Sequence, residues 1–327
     1  MKKWMIILVA VLFSAVFLLP AYAQMKKTAQ TGFQFLKIDM SPRMAAMGGA
    51  FNMVGDDATA LFANPAGIAW SDANVDFFAG QTIWIADIKY TSAGLLVNAG
   101  NWGTFGFSII HCDYGDIEGT VVAANEKGYD DTGMLDVGAY SLGVAYAKRI
   151  TELFTVGGQV KHVSQHLGNN VLNDGSRVNN RASGFAFDFG TIFYPGYKSF
   201  RFGMSIRNFA DEFTYQRETF QLPLTFTIGV AMDVLDFLGD HTDKFVVAVD
   251  AVHPRDYSER IHFGGEYSLK DMFFLRAGYK YNYDIEGFTA GVGFKTDYYG
   301  MDVKLDYSFS STDIFTDVHR FAIGFAF

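Results

Sequence analysis

The sequence predicts a transmembrane antiparallel β-barrel of about fourteen strands, with an N-terminal lumenal hatch that contains a short helix. Three observations predict it. Apolar and polar residues alternate with period two over most of the chain, long and short connections alternate, and the first residues have the features of a signal peptide. Composition agrees, because 17% of the 327 residues are aromatic and 34 are glycine. Aromatic side chains suit a pleated wall and glycines suit turns.

The N-terminal segment has the three parts of a secretory signal. Lys2 and Lys3 give a positive start, an uncharged apolar run extends to Leu19, and Ala21-Tyr22-Ala23 is the pattern after which signal peptidase cuts. The alternative is a transmembrane anchor, but the run is short for one. We therefore expect residues 1–23 to be a signal peptide and Gln24 to begin the mature chain.

Charge and cysteine content exclude several classes of function. The chain has 26 basic and 35 acidic residues, so removal of the two leader lysines leaves 24 against 35, a net charge of −11. This balance disfavours a nucleic-acid partner, which requires a basic surface. The single cysteine, Cys112, excludes an internal disulfide, and we expect it to be a buried small residue and not a nucleophile. No second run of ~20 apolar residues follows the leader, which excludes a helical membrane protein.

Half-apolar strands are predicted from residue 75 onwards. In one run the apolar face and the polar face alternate residue by residue, as Phe154, Val156, Gly158 and Val160 against Thr155, Gly157, Gln159 and Lys161. About fourteen such runs lie near 75–82, 86–98, 103–113, 136–149, 153–166, 181–194, 198–209, 222–233, 244–253, 259–268, 272–283, 286–296, 300–310 and 317–327. We assign residues 24–74 to the hatch and 75–327 to the barrel.

The connections between the runs are long and short in turn. The longest, Tyr114–Leu135, Leu167–Asn180 and Ala210–Gln221, all follow odd-numbered runs, whereas Lys270-Asp271 is typical of the others. Outer-membrane barrels have short periplasmic turns and long outer loops, so both ends of the barrel are expected on the periplasmic side. The connection Leu235–Thr242 fits this rule least well.

A soluble β-sandwich is the alternative fold, and charge on the strands disfavours it. Asp302, Lys304 and Asp306 share one face of a run whose other face is apolar. A sandwich core would exclude these charges, whereas a wet or plugged lumen would accept them.

The last run resembles the terminal strand that bacterial barrel-assembly machinery recognises. Phe321, Phe325 and Phe327 point one way along it, and small residues point the other. We expect this strand to close the barrel by pairing with the first strand near Val75.

Residues 24–74 do not follow the strand pattern. Asp56-Asp57 can begin a short helix, Ala58–Ala63 continues it, and Asn64-Pro65-Ala66-Gly67 ends it. A compact apolar element before a wide barrel is expected inside the lumen. Two interpretations of Asp56-Asp57 stay open: capping of the helix, or an ion pair that pins the hatch to a lumenal cation such as Arg201 or Arg207.

The hatch segment resembles a known family. Arg43-Met-Ala-Ala-Met-Gly-Gly-Ala-Phe51, then Asp56-Asp57-Ala58, then Asn64-Pro65-Ala66-Gly67 is similar to the opening of the PorV/PorQ family, within the wider group of FadL-like barrels. The resemblance singles out as hatch residues Arg43, Gly48, Gly49, Asp56, Asp57, Asn64, Pro65 and Gly67.

Two functions follow from the resemblance. The first is a binding or accessory role in protein secretion or surface attachment of the type IX kind, with secreted cargo proteins as partners. The alternative is passive transport of hydrophobic small molecules. That role predicts an apolar pocket beside the hatch and a lateral gap in the wall, for which Val156-Gly157-Gly158 is a candidate. A purely structural or assembly role is a third interpretation, and an enzyme with its site on the loops is a fourth.

Motifs of catalysis and metal binding are missing from the sequence. His162 and His166 share a face of one strand but lie ~13 Å apart there, which is too far to chelate one ion. Asn173-Asp174-Gly175-Ser176 lacks the later acidic ligand of a calcium loop and is expected to be a plain turn. We expect no enzyme, no cofactor and no metal. The expected location is the bacterial outer membrane, with lipid and the assembly machinery as partners.

Overall fold

The computed structural model describes residues 31–239, 242–312 and 314–327. The expected signal peptide and the first residues of the mature chain lie outside the described residues. Within those ranges, no helix is long and apolar enough to span a lipid bilayer.

Fourteen antiparallel strands close into one barrel, which confirms the predicted fold. Each strand pairs with the next barrel strand along the chain. The barrel strands are β1 (Val75–Ile83), β2 (Lys89–Asn98), β3 (Thr104–Asp113), β6 (Val137–Arg149), β7 (Phe154–Val171), β8 (Arg177–Phe193), β9 (Arg201–Phe209), β12 (Thr225–Asp233), β13 (Lys244–Pro254), β14 (Arg260–Leu269), β15 (Phe273–Tyr281), β16 (Glu286–Tyr298), β17 (Met301–Thr312) and β18 (Val318–Ala326).

Two hairpins outside the barrel were not predicted. They are formed by β4 (Ile117–Val122) with β5 (Tyr129–Leu135), and by β10 (Phe213–Tyr215) with β11 (Glu218–Phe220). Both lie in the long connections that follow the third and seventh barrel strands. Those connections were expected as loops because their sequences lack a sustained apolar face.

The barrel closes where the sequence predicts. The backbone N–H of Val75 donates to the carbonyl oxygen of Phe327 at 2.9 Å, and the N–H of Phe327 donates to Val75 at 2.9 Å. Strand β1 then pairs with β18 without a shift of register. Phe321 and Phe327 lie exposed on the outer face and Phe325 is half-buried there.

The outer face of the barrel is apolar. Large apolar side chains such as Phe107, Ile109, Val144, Phe185 and Leu275 are 46–60% exposed. Aromatic residues lie near both ends of the wall, namely Trp102, Tyr146, Tyr298 and Tyr299 on the side of the termini and Tyr279 and Tyr281 on the other. A closed barrel with an apolar band between aromatic girdles is the form that spans the bacterial outer membrane, and the protein is located there.

The inner face of the wall is small or polar. Along β7, Thr155 and Gln159 are buried while Val160 is 44% exposed, as the alternation predicts. Cys112 also points inward and is fully buried, which confirms its expected environment.

The hatch fills the lumen with four short helical segments. They are Gln34–Lys37, α1 (Pro42–Ala46), Ala58–Phe62 and Pro65–Trp70, of which α1 is an α-helix and the rest are 3₁₀-helices. Further 3₁₀ turns lie in connections at Ile85–Asp87, Gly100–Trp102 and Val234–Phe237. The expectation that Asn64-Pro65 only ends a helix was incomplete. Asn64 accepts a hydrogen bond from the N–H of Ala66 at 3.0 Å, so it caps a second 3₁₀-helix.

Wall glycines allow the hatch backbone to approach closely. A Cβ atom at Gly157 would lie 2.5 Å from the backbone nitrogen of Ala66, and one at Gly264 would lie 2.6 Å from the Met47 carbonyl oxygen. A side chain at either position would force the hatch away from the wall. The apolar core of the protein therefore lies inside the barrel, between hatch and wall.

Candidate functional site

The hatch is tied to the periplasmic half of the wall by a network of ion pairs. Its centre is Arg43, which follows the first residue of α1. The guanidinium donates from Nε to Glu266 Oε2 and from an Nη to Glu266 Oε1, both at 2.8 Å. This is the two-pronged geometry that makes Arg–carboxylate pairs strong. Its other Nη donates to Asp56 at 2.7 Å and to Asp57 at 3.3 Å.

The same network continues into the wall. Glu266 on β14 accepts from Arg276 Nε at 2.6 Å, and Arg276 also pairs with Asp306 on β17. Because Glu266 lies between two guanidinium groups, its buried charge is balanced. Burial by itself lowers the pKa of Arg43, but Glu266, Asp56 and Asp57 outweigh it and hold that pKa above its usual value.

Asp57 connects the hatch to the strands that close the barrel. Its carboxylate lies 3.5 Å from Lys304 Nζ, which is also 3.6 Å from Asp76 on β1. It also caps the 3₁₀-helix Ala58–Phe62 by accepting from the N–H of Thr59 at 2.9 Å. Burial raises the pKa of Asp57, but Lys304, Arg43 and the Thr59 hydrogen bonds together hold it below its ordinary value.

Both interpretations of the acidic pair therefore describe Asp57, but the suggested partners were wrong. Arg201 donates to the carbonyl oxygen of Met53, and Arg207 donates to that of Phe62. Neither forms an ion pair with Asp56 or Asp57 among the described residues. Strand alternation identifies lumenal cations, but it does not tell which of them lies at the height of Asp57.

The remaining hatch residues shape the backbone. Gly48 and Gly49 have φ values of +63° and +78°, a region that glycine adopts without strain. Gly48 lies against the backbone of β14 and β15, where a Cβ atom would meet Tyr279 N at 2.7 Å. The amide of Asn64 donates to Asn52 O at 3.1 Å and to Thr191 O at 3.3 Å, so it joins two hatch turns to the wall. Gly67 packs against the backbone of Gly55.

A cavity of about 400 Å³ lies at the extracellular end, between the hatch and the strand ends. Its lining mixes aromatic, apolar, cationic and anionic side chains, among them Trp84, Tyr257, Tyr283, Ile38, Val252, Arg207, Arg260, Lys280, Asp39, Asp284 and Glu286. On the periplasmic side, two charged cavities of about 220 and 390 Å³ flank the Arg43 network. The extracellular cavity has the size of a small-molecule site.

Asp39, at the edge of the extracellular cavity, is held as a carboxylate. Burial raises its pKa, but Lys280, whose Nζ lies 2.9 Å away, and Arg320 lower it to about 2. The charge of the hatch at this point is therefore fixed at neutral pH.

Aromatic side chains surround the start of the described hatch. The ring centroid of Phe33 lies 5.2 Å from that of Phe213 and 5.7 Å from that of Phe220, both in the β10–β11 hairpin. Phe35 and Tyr215 complete this aromatic cluster at 5.8 and 6.4 Å. Phe33 is 1% exposed and has a φ of +53°, an uncommon conformation for a bulky residue. Sequence reasoning missed the cluster because the hairpin was assigned to a loop.

The ladder of the wall is interrupted between β8 and β9. Two β9 residues, Arg207 and Asn208, oppose Asp188 of β8, and the register shifts between Phe187 and Phe189. Asn208 has a φ of +61°, and its N–H donates to Asp188 at 2.7 Å. This is a β-bulge, a feature that re-aims a strand and ends pairing.

Above this bulge, β8 has no barrel strand on that side, and the β10–β11 hairpin lies against it instead. The lateral gap suggested at Val156-Gly157-Gly158 is not present. Those residues pair with β6 and β8 without interruption. The hatch fills the space inside Gly157.

No group of three or more His, Cys, Asp or Glu side chains in the described part of the chain is placed to hold a metal ion. His166 approaches Asp136 at 3.4 Å, while the ring of His162 packs between Tyr140 and Phe185. Asn173–Ser176 forms a turn, in which Asp174 accepts from the N–H and the hydroxyl of Ser176.

Comparison with known proteins gives a family and a fold. The model of the "Uncharacterised protein family (UPF0164)" matches residues 13–190. No curated protein matches the sequence. The chain is similar in structure to the toluene transporter TbuX of Ralstonia pickettii, with a TM-score of 0.59, 15% identity, and coverage of 87% of this chain and 97% of that one.

Two further solved structures have the same fold. The toluene transporter TodX of Pseudomonas putida gives a TM-score of 0.58 at 12% identity and covers 92% of this chain and 99% of its own. A FadL homologue of Pseudomonas aeruginosa gives 0.52 at 11% identity, with 93% and 99% covered. The chain therefore has the FadL-like barrel fold.

Proposed function

The chain belongs to the uncharacterised protein family UPF0164, and we propose that it is a passive outer-membrane channel for small hydrophobic molecules. The observation that carries this proposal is the aromatic cluster around Phe33, which joins the hatch to an extracellular hairpin above an interruption in the wall. In this proposal the protein has no enzymatic activity and needs no cofactor.

The lumen does not suit a passage for water or ions. Phe35, Met40, Met47 and Phe51 of the hatch are at most 2% exposed and fill the inside of the barrel. General porins leave a polar channel of water, whereas this hatch leaves separate cavities at the two ends. An apolar molecule could enter where Phe33 lies, because the surrounding rings would accept it in place of Phe33.

The break in the wall provides an exit. Above Phe187, the edge of β8 that faces β9 has no barrel strand beside it, and the ring of Phe213 packs on the inner face of Gly184. Movement of the hairpin would uncover the wall there towards the lipid. A molecule could then leave sideways into the membrane without crossing the charged periplasmic network.

The fold of the toluene transporters TbuX and TodX supports this proposal as an analogy. The secretion role expected from the PorV/PorQ resemblance gains no support from any comparison. Recognition of Phe321, Phe325 and Phe327 by the assembly machinery stays a prediction.

A reversible lock on the hatch tests the proposal. Thr31 and Gln221 are partners in a parallel β-bridge, and the N–H of Gly32 donates to Gln221 O at 3.1 Å. A Thr31→Cys/Gln221→Cys variant, in a Cys112→Ala background, would tie the hatch to the extracellular loop. We expect liposomes that contain this variant to take up no toluene when the disulfide is formed, and to take it up again after a reductant is added.

The single variant Thr31→Cys in the same background is the matched control and should transport toluene whether oxidised or reduced. Equal uptake by the locked and unlocked double variant would show that this segment does not gate passage. No uptake by the unmodified protein would refute the proposed function.

A further inference from the structure

Arg260, in the extracellular cavity, is a buried cation without an anionic partner. It is the first residue of β14, is 8% exposed and lines the cavity. Among the described residues it makes no ion pair, and its Nε has no hydrogen-bond partner. A buried guanidinium without a counter-charge is costly, so its retention at a cavity wall needs a reason.

Apart from Arg207, the other lysine and arginine side chains that line this cavity are paired with carboxylates. Lys37 lies 3.0 Å from Asp256, and Lys280 lies 2.9 Å from both Asp39 and Glu286. Asp284, which is exposed at the rim of the cavity, also has an interaction partner. The second unmatched cation is Arg207, which donates to the Phe62 carbonyl oxygen. Arg260 is thus the lining cation whose side chain forms neither an ion pair nor a hydrogen bond among the described residues, which favours a ligand with negative charge.

The same space has aromatic walls. The guanidinium carbon of Arg260 lies 3.8 Å from the ring centroid of Tyr283 and 4.3 Å from that of Tyr257. These contacts hold the guanidinium plane in place while leaving its Nε edge without a partner. Trp84, Ile38 and Val252 line the remainder of the cavity. Flat aromatic surfaces beside a planar cation suit a flat ring that bears an acid group.

We infer that the extracellular cavity binds a small aromatic carboxylate, with the carboxylate on Arg260 and the ring against the aromatic walls. This inference rests on the proposed function, since it names the class of molecule that the channel takes up. A volume of about 400 Å³ accommodates a single ring with its acid group. The hatch residues Ile38 and Asp39 form the floor, so a bound ligand would contact the hatch directly.

Calorimetric titration of the purified full-length barrel in detergent tests the inference with four probes. Benzoate has an aromatic ring and a carboxylate. Cyclohexanecarboxylate has the carboxylate on a saturated ring, and toluene has the aromatic ring without a charge. Laurate has the carboxylate on a long alkyl chain. We expect benzoate to bind most tightly. Arg260→Gln should weaken benzoate binding by roughly 10- to 100-fold, the effect of losing a charged hydrogen-bond donor, and leave toluene binding unchanged.

Arg217→Gln is the matched control, because Arg217 is exposed in the β10–β11 turn outside the cavity, and it should change nothing. Tyr283→Leu should weaken benzoate more than cyclohexanecarboxylate. Heat-modifiable migration on a denaturing gel verifies that each variant is folded.

Equal benzoate affinity in Arg260→Gln and the unmodified protein would overturn the inference, as would tighter binding of toluene or laurate than of benzoate. If toluene still crosses liposomes through a protein that does not bind benzoate, the inference fails and the proposed function stands. If neither probe crosses, the proposed function fails.

Discussion

The two ends of the lumen differ in how their charges are paired. At the periplasmic end, Arg43, Glu266, Arg276 and Asp306 form a chain in which each charge faces an opposite one. At the extracellular end, Arg260 has no counter-ion among the described residues and is held by aromatic rings. The difference indicates that ion pairs hold the hatch at both ends, whereas only the extracellular end, in the part of the chain that the structure describes, keeps a cation free for a ligand.

This difference has an energetic cause. Removing one member of a buried, matched pair leaves its partner charged and unpaired, at a cost of about 3–5 kcal/mol. The aromatic contacts of Phe33 and Arg260 are weaker individually, at about 0.5–2 kcal/mol each. A ligand can therefore displace the contacts of Phe33 and Arg260 at modest cost, while the ion pairs of the hatch hold at both ends.

The largest effect is expected at the centre of the periplasmic network. Arg43→Met leaves Glu266, Asp56 and Asp57 without their shared cation and should lower the free energy of unfolding by about 3–5 kcal/mol. Urea unfolding in lipid vesicles measures it, and single-channel recording should show ion conductance that the unmodified protein lacks. Arg217→Met, at an exposed loop, is the control. A closed and equally stable Arg43→Met variant would show that the network does not fasten the hatch.

The two adjacent aspartates should contribute unequally. The Asp57 side chain is 11% exposed and forms ion pairs with Arg43 and Lys304, whereas that of Asp56 is 56% exposed and, among the described residues, forms one with Arg43 only. Asp57→Asn is expected to cost about 3 kcal/mol as a buried pair, and Asp56→Asn about 0–1 kcal/mol as a surface pair. The same unfolding measurement compares them. Equal effects of the two substitutions would show that Asp57 does not hold the hatch more strongly than Asp56 does.

A pair of neighbouring glycines tests how closely the hatch packs on the wall. Gly157→Ala places a Cβ atom 2.5 Å from Ala66 N and should destabilise the protein by about 1–3 kcal/mol. Gly158→Ala points outward, where the nearest atom lies 3.7 Å away, and should be close to neutral. Thermal melting of both variants, followed by gel migration, distinguishes them. A neutral Gly157→Ala would mean that the hatch shifts freely.

The smallest effect on the free energy of unfolding is expected when the pH is lowered. The pKa of Asp57 is held below the ordinary 3.8, and that of Asp39 falls to about 2. A carboxylate with a depressed folded-state pKa stabilises the fold above its unfolded pKa, and that contribution is lost as pH falls through the folded-state value. The contribution of these two carboxylates to stability should be constant from pH 7 to about pH 5 and should be lost as the pH falls from about 4 to 2. This loss should be smaller in Asp57→Asn. If the loss of stability were already complete at pH 5, it would come from groups other than Asp57 and Asp39.

Much of the fold was predictable because it depends on neighbours in sequence. Alternation along a strand is decided within a few residues, so the fourteen barrel strands and the closure of Val75 on Phe327 followed from the sequence. The hatch was recognised because its segment lacks alternation, and the pair Asp56-Asp57 was a candidate cap because it precedes an apolar helix; the structure shows that Asp57 is the cap. The β4–β5 and β10–β11 hairpins were missed because their strands, three to seven residues long, are too short to show a sustained alternation.

The candidate site was decided by tertiary structure. Arg43 meets Glu266 across 223 positions of sequence, and Phe33 meets Phe213 only because a loop folds back over the lumen. Alternation along a strand predicts that a side chain faces the lumen. The tilt and stagger of the strands decide how far along the barrel axis it lies and which side chain it meets. The sequence alone therefore determined a hatch-plugged outer-membrane barrel. Only the position of the hatch against the closed wall decides which charges are paired and which arginine is left for a ligand.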